Sequence, residues 1–333
     1  MRLSAKRRDW RRAMTAGSCA ALLAMAVSGC ALQIARPDVV IGTGTPSGTY
    51  YPLGGSVCRL FNLDAARDER RCVAEVAAGP IANLDALRNK RIDIAIVPSD
   101  VLADAVAGQG PFALRGPDTS LRVLFTGHAD AFTIVARREL GIRNVAGLRG
   151  KRINMGSPGS GEQLGMARIM TALGVTQKDF AEVREFSAAE QHRALCANEL
   201  DAIVYSVGHP NGLIEDVVRM CRGVLLDVSG PSIDAMLSSH PEYERAVIPG
   251  GTYLDNPNDV QTLGVRAAVV ATTRLSDPLA FDITRGVFDH FDDFRRLHPL
   301  FAMLSVDHMA EAGPSAAPHP GALRFYREHG WMK

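Results

Sequence analysis

The stretch VVIGTGTPSGTYYP, residues 39–52, decides the fold. It opens with a β-branched run that predicts a buried strand, passes through three glycines, and leads into a helix predicted over residues 53–62. A strand, a glycine-rich loop and a helix N-terminus in this order favour an anion site, because free backbone N–H groups and the positive end of the helix dipole meet there. The hydroxyl-bearing residues of the loop are the predicted ligand contacts: Thr45, Ser47, Thr49 and Tyr50.

This loop does not match the nucleotide-binding motifs. In the G-x-G-x-x-G pattern the third glycine would come one residue before Gly48, and Pro46 stands inside the turn. A phosphate-binding P-loop would also need a Lys-Ser or Lys-Thr pair that is absent here. A polar organic solute is therefore a better ligand class than a nucleotide, and a purely structural tight turn is the alternative interpretation.

The rest of the chain alternates short β-branched runs with helical stretches, which is the pattern of a parallel α/β sheet. Two long extended runs, 121–135 and 262–273, interrupt it without an intervening helix. We interpret them as two extended hinge crossings between two α/β lobes, with a ligand cleft between the lobes. The predicted lobes are 38–129 plus 266–333 and 130–265; a single large doubly wound domain is the alternative. An amphipathic stretch with an apolar phenylalanine stripe, 277–298, closes the chain as helix.

The second predicted lobe contains a loop of the same kind, GSPGSGE at residues 156–162. It again lies between a predicted strand and a predicted helix, so Ser157, Ser160 and Gly161 are predicted to contact the same anion. The loop is no nucleophile elbow, because it lacks G-x-S-x-G and has no assignable His and Asp partners. Both serines are therefore interpreted as hydrogen-bond donors. A hydrolase or transferase, the alternative, would require one of them to be an activated nucleophile.

Two predicted strand ends supply further candidates, since ligands of open α/β sheets bind outside the carboxyl ends of strands. Ser99 and Asp100 follow the strand over 92–97, although Asp100 could equally be a helix N-cap. Tyr205, Ser206 and His209 close the corresponding strand of the second lobe and are predicted to point into the cleft.

The N-terminus predicts export. Basic residues precede an apolar run over 13–29 that carries no charge and is too short to favour a membrane span. The sequence VSGC at 27–30 resembles a bacterial lipobox, which predicts a lipoprotein signal peptide at 1–29, lipid on Cys30, and a tether at 30–37. A plain signal peptide is the alternative, and Arg7-Arg8 hints at twin-arginine export.

The cysteines predict disulfides in an oxidising compartment. Four remain beyond Cys30, and their spacing favours Cys58 with Cys72 and Cys196 with Cys221, although four cysteines allow three connectivities. Zinc is the rival interpretation, but no CxxC appears and no histidine stands beside them at ligand spacing. No metal, cofactor, catalytic residue or general acid/base pair is predicted. Because the 333-residue chain has a net charge of only +1, nucleic acid is not an expected partner.

These residues resemble the TAXI family of solute receptors that serve TRAP transporters. The resemblance covers nearly the whole chain after the signal peptide, including the loops at 42–52 and 156–161. The remaining matching segments are Asn83, 99–100, 148–152, 195–196, 201–202, 207–210, 248–251, 294–299 and 319–322.

The resemblance implies a type II-like periplasmic binding protein without catalytic activity. It would capture glutamate, 2-oxoglutarate or a related dicarboxylate and deliver it to a membrane permease, as a monomer held at the membrane by lipid. It also implies that Asn83 lies at the ligand. An exported sensor or scaffold with the same fold is the alternative. Two departures from the family pattern, at 79–83 and Pro98, fall near the expected cleft and put the ligand preference in doubt.

Overall fold

The structure is a computed structural model that describes residues 38–46, 48–65 and 70–332. Within these ranges ten strands form one mixed sheet in the order β2-β1-β3-β10-β4-β7-β5-β6, with β8 added on β4 and β9 on β10. The strands are β1 (Val39–Gly42), β2 (Cys72–Glu75), β3 (Ile94–Pro98), β4 (Leu121–Arg137), β5 (Arg152–Asn154), β6 (Glu182–Arg184), β7 (Ala202–Val207), β8 (Gly223–Leu226), β9 (Tyr243–Ile248) and β10 (Val260–Thr272).

Helices follow most strands and cover the sheet, as the alternating sequence pattern predicts. They are α1 (Tyr50–Ala65), α2 (Pro80–Arg88), α3 (Ser99–Ala107), α4 (Gly161–Leu173), α5 (Ala188–Cys196), α6 (Gly212–Met220), α7 (Pro231–Ser239), α8 (Asp277–Asp289), α9 (Phe291–Arg296), α10 (Val306–Ala310) and α11 (Pro320–Glu328). No helix in the described part of the chain is both long and apolar enough to cross a bilayer.

Strands β4 and β10 connect the two ends of the sheet. They pair antiparallel over most of their length, from Gly264 opposite Ala131 to Thr272 opposite Leu121, with two register shifts on the way. Strand β3 pairs antiparallel with the C-terminal half of β10, whereas β7 and β8 pair antiparallel with the C-terminal half of β4. These are the two extended crossings that the sequence predicts, and the α/β fold class is confirmed.

The buried apolar residues form separate cores on either side of the crossings. Two clusters draw on residues 39–125 and 267–326, and two others draw on residues 131–265. In the first group Phe61 and Ile283 join α1 to α8, and in the second Met166 and Ile169 seat α4 on the sheet. Each fully buried side chain of this size contributes about 1.5–3 kcal/mol. The lobe boundaries given above stay a prediction.

Both predicted disulfides are confirmed. Cys58 of α1 is bonded to Cys72 at the start of β2, with their Cα atoms 4.9 Å apart. Cys196 ends α5 and is bonded to Cys221, which follows α6, at a Cα separation of 4.6 Å. Both Cα separations lie within the usual range for a disulfide.

One helix prediction is wrong. The stretch 277–298 does not form a single helix, because α8 ends at Asp289 and a second helix starts at Phe291. His290 between them leaves the helical conformation, and its Nε2 lies 3.0 Å from Asp64 Oδ1 on α1. The change of direction places Phe294 against Phe301, with ring centroids 4.8 Å apart. Tertiary contacts of these residues therefore override the continuous apolar stripe.

Candidate functional site

A cavity of about 160 Å³ lies where the two glycine-rich loops face each other. This is smaller than the roughly 300–1,000 Å³ of sites for drug-sized ligands, so it suits a small metabolite. The first loop, the start of α2 and Pro98 form one wall, while the second loop, the start of α5 and the end of β7 form the other. The lining residues are Thr43, Gly44, Thr45, Gly48, Thr49, Tyr50, Ala77, Ala78, Gly79, Pro80, Pro98, Asp130, Gly156, Ser157, Ser160, Gly161, Glu162, Phe186, Ser187, Ala188, Gln191, Ser206 and Val207.

The first loop is held from below by Asn83. The Asn83 side-chain amide donates to the carbonyl of Thr43 at 2.7 Å and to that of Ile96 at 3.2 Å. Gly42 is required here, because a Cβ at that position would lie only 2.5 Å from Asn83 Oδ1. Asn83 is buried beneath the loop and does not line the cavity. The resemblance implies that Asn83 contacts the ligand, but the structure places this residue beneath the first loop, where it supports the loop backbone.

The second loop forms the N-terminus of α4. Ser160 is its N-cap and accepts a hydrogen bond from the backbone N–H of Gln163, while Gly159 N–H donates to the Gln163 side chain at 2.8 Å. Gly156 and Gly159 adopt positive φ angles of 95° and 75°, which glycine tolerates best. This tight path turns Ser157, Ser160 and Gly161 toward the cavity.

Four helices begin at this cavity rather than the two that the sequence indicates. Tyr50 starts α1 and Gly161 starts α4; the first residues of α2 and α5, Pro80 and Ala188, also line the wall. The N-cap of α2 is Gly79, which offers no side-chain hydrogen bond to the free N–H groups of the first turn. Helix N-termini carry a partial positive charge, so their convergence favours an anionic group of a ligand.

Two carboxylates also face the cavity, and the lining contains no Lys, Arg or His among the described residues. Asp130 lies on β4 at the crossing, where Thr49 Oγ1 donates to Asp130 Oδ1 at 3.0 Å. Glu162 stands in the first turn of α4. Burial raises the pKa of Glu162 above its ordinary value, opposed by hydrogen bonds with Ser160 and the backbone of Ser206. Neither acid is among the ligand contacts that the sequence predicts.

Seven of the predicted ligand residues do line the cavity: Thr45, Thr49, Tyr50, Ser157, Ser160, Gly161 and Ser206. Burial, together with the charge and a hydrogen bond of Asp130, raises the pKa of Tyr50 well above its ordinary value, which keeps the phenol neutral. Ser47 lies outside the described residues.

Asp100 and Ser99 lie away from the main cavity. Asp100 lines a neighbouring cavity of only about 10 Å³, where its Oδ2 accepts a hydrogen bond from the Tyr243 hydroxyl at 2.8 Å. Burial raises the pKa of Asp100 to about 6. Ser99 donates to the carbonyl of Glu242 at 2.7 Å and accepts from the backbone N–H of Arg266 at 3.0 Å. Both side chains connect α3 to β9 and β10 instead of facing the cleft.

Tyr205 and His209 are also placed elsewhere. Tyr205 is fully buried in an apolar cluster of the second group, which raises its pKa, and its neighbour Ser206 faces the cavity instead. His209 is held between Thr133 Oγ1 at 2.8 Å and the Tyr253 hydroxyl at 2.6 Å. Burial lowers the pKa of His209 to about 4, so the ring is neutral at pH 7. Neither of these side chains lines the cavity.

A histidine does stand beside one cysteine pair, so the prediction that no histidine lies there at ligand spacing is wrong. His192 lies one helical turn before Cys196, and its ring nitrogen and the sulfurs of Cys196 and Cys221 fall within 4.8 Å of one another. Metal binding by cysteine requires a thiolate, and these two sulfurs are bonded to each other. The described residues around this disulfide therefore do not form a zinc site.

Several solved structures share this fold. A protein from Bordetella bronchiseptica RB50 superposes with a TM-score of 0.52 at 13% identity, over 88% of this chain and 98% of that one. PhnD1 from Prochlorococcus marinus MIT 9301, in complex with methylphosphonate, superposes with a TM-score of 0.50 at 12% identity and the same coverage. The alkanesulfonate-binding protein SsuA from Xanthomonas axonopodis pv. citri, bound to MOPS, gives 0.45 at 15% identity, over 88% of this chain and 85% of that one.

At these identities the likeness shows the fold, which is that of the two-lobed periplasmic binding proteins. The NMT1-like family matches residues 41–330, which is most of the sequence. The chain has a two-lobed fold and a small cavity between facing helix N-termini. Because the family model also matches most of its sequence, the chain belongs to the NMT1-like family.

Proposed function

We propose that this protein is the extracytoplasmic receptor of a TRAP transporter of the TAXI type. It captures a small organic anion and delivers it to the membrane permease. Glutamate, 2-oxoglutarate and related dicarboxylates are the starting candidates. The observation that carries the proposal is the convergence of four helix N-termini, contributed from both sides of the cleft, on one cavity of about 160 Å³. Backbone N–H groups can bind a carboxylate there without a basic side chain.

The halves touch across this cavity, which is the arrangement that traps a ligand. A Cβ on Gly79 of the first wall would stand only 3.1 Å from the carbonyl oxygen of Gly159 in the second. Closure that brings such loops together removes water from the ligand and completes its hydrogen bonds. The site thus favours capture and release by opening, as a transport receptor requires.

We further propose that the receptor works in the periplasm, tethered by lipid on Cys30. Residues 1–37, which include Cys30, lie outside the described part of the chain. Two observations support the proposal: the signal-like sequence that precedes Cys30 and the two disulfides, which persist in an oxidising compartment. Metabolic labelling with a palmitate analogue should mark the wild-type protein and leave Cys30→Ala unmarked; labelling of both, or of neither, would refute the tether.

The binding function is tested with purified protein in a thermal-shift screen of C4 to C6 dicarboxylates and amino acids. A ligand present at 100 times its Kd stabilises the folded state by about 2.7 kcal/mol, which raises the midpoint clearly. A screen in which no organic anion raises the midpoint contradicts the proposal. Transport is tested by uptake of the identified ligand in a deletion strain. Unchanged uptake would instead favour an exported sensor.

A further inference from the structure

The charges that face the cavity do not suit every organic anion equally. Four helix N-termini attract negative charge. The described lining residues, however, include two acidic side chains, Asp130 and Glu162, and no basic one. A dianion would meet both acids without any Lys or Arg to balance them. A ligand that carries one anionic and one cationic group would satisfy both kinds of lining group.

Asp130 is the more informative of the two acids. Its side chain is only 2% exposed, and no Lys or Arg in the described ranges lies within ion-pair distance of it. Thr49 Oγ1 donates to its Oδ1 at 3.0 Å, His128 Nε2 lies 3.2 Å from the same oxygen, and the Tyr50 hydroxyl also donates to this carboxylate. A buried carboxylate is costly unless a charge or several hydrogen bonds compensate it. Asp130 therefore has neutral hydrogen-bond donors beside it but no Lys or Arg, and a cationic group of the ligand would supply the missing positive charge.

The position of Asp130 matches where a ligand would present such a group. It lies on the crossing strand β4, at the floor shared by the main cavity and the small one beside Asp100. The free N–H groups of α2 and α4 lie in the walls, so a carboxylate on the walls and an ammonium group on the floor can be held together. The Ser206 hydroxyl, which also lines both cavities, is a further acceptor for an ammonium hydrogen.

We propose that Asp130 receives the ammonium group of the ligand, so that the receptor selects 2-amino acids over the 2-oxo acids with the same carbon skeleton. This inference rests on the proposed binding function and narrows its ligand class. A 2-oxo acid offers only an acceptor oxygen to Asp130 and leaves this buried carboxylate without a cationic partner from the ligand. A hydrogen bond to a charged group contributes enough to make the expected preference on the order of 10–100-fold.

The test compares matched pairs on the wild-type protein by isothermal titration calorimetry. The pairs are L-glutamate with 2-oxoglutarate, L-alanine with pyruvate, and L-leucine with 4-methyl-2-oxopentanoate. The amino member should bind at least tenfold more tightly in every pair that binds at all. Equal or tighter binding of an oxo member overturns the inference and leaves the proposed anion receptor intact. Absence of binding in all three pairs overturns the inference, while the anion receptor itself is then decided by the thermal-shift screen.

Variants then assign the preference to Asp130. Asp130→Asn should weaken the amino member at least tenfold and leave the affinity for the oxo member equal or higher, whereas the exposed control Asp292→Asn should change neither. If Asp130 serves only as a structural partner of His128, both members weaken together, which overturns the assignment. Should Asp130→Asn fail to fold, Asp130→Glu must keep the preference for the amino member, and loss of that preference counts against the inference.

Discussion

A single ion pair joins α3 to α4 across the cleft, and its removal should loosen the grip on the ligand without unfolding the protein. Arg168 of α4 donates to Asp104 of α3 at 2.5 Å, with 31% and 13% of the two side chains exposed. The partner charge raises the pKa of Arg168 against the opposing effect of burial, so the guanidinium stays charged. We predict that Arg168→Met, which keeps most of the side-chain length, reduces ligand affinity.

The magnitude follows from the partial burial of the pair. Fully exposed pairs contribute about 0–1 kcal/mol and hydrogen bonds to charged groups about 1.5–3 kcal/mol, which places this one at about 1–2 kcal/mol. The bond joins elements on opposite sides of the cleft, so its loss destabilises the closed form relative to an open one. An affinity loss of about 5–30-fold should result, because a ligand must then supply that energy itself.

The assay is a double-mutant cycle by calorimetry with Arg168→Met, Asp104→Asn and the double variant, with any ligand found in the screen. The two single variants and the double variant should weaken binding by similar factors, because either change removes the same bond. The exposed pair Arg296→Met with Asp293→Asn is the matched control and should leave affinity unchanged. Additive losses at 104 and 168, or no loss at either, would refute the reasoning.

Three further predictions concern stability, each measured by urea unfolding. Asp100 and His209 should give the free energy of unfolding opposite pH dependences. The pKa of Asp100 is raised to about 6, so its contribution to stability falls as pH rises from 4 to 6. The pKa of His209 is lowered to about 4, so its contribution to stability is lost as pH falls from 6.5. Each group changes the free energy of unfolding by up to about 3 kcal/mol. Asp100→Asn leaves the effect of His209, so the stability of this variant should rise with pH, whereas His209→Gln leaves the effect of Asp100 and its stability should fall with pH. Parallel profiles of the two variants would contradict this prediction. Gly42→Ala should cost about 1–3 kcal/mol because its Cβ meets Asn83 and Ile92, while the control Gly55→Ala, with open space around the Cβ, should be neutral or stabilise by up to about 1 kcal/mol. Replacing both Cys196 and Cys221 by serine should cost about 2–4 kcal/mol, and an unchanged midpoint would argue against the bond.

Local patterns in the sequence predicted the fold and both glycine-rich loops, because strand, loop and helix signals lie within a few residues of one another. Two further signals in the sequence mark helix starts. Gly79-Pro80 is typical of a helix start, and the capping box formed by Ser187 and Glu190 marks the beginning of α5. These signals would have placed two more helix N-termini near the cleft, since both follow strands of the parallel sheet.

The errors at the site arise from information that is not local. Adjacent residues of a strand point to opposite faces, so only one of Tyr205 and Ser206 can face the cavity, and the sequence does not show which. Ser99 and Asp100 do follow a strand end, but the antiparallel strand β10 lies beside β3. Their side chains therefore form hydrogen bonds with β9, β10 and the residue before β9 instead of a ligand. Asp130 is found only when β4 is known to pass beneath both loops.

The ribbon formed by β4 and β10 also determines how freely the cleft can work. Both strands stay paired along the ribbon except at two register shifts, one between Arg266 and Ala268 and the other between Val269 and Val270. Opening by twisting such a ribbon breaks none of its backbone hydrogen bonds, and the bulged positions tolerate added twist. The free-energy difference between open and closed forms is then set by the few contacts across the cleft. A ligand held by a small number of hydrogen bonds is enough to shift the equilibrium toward the closed form.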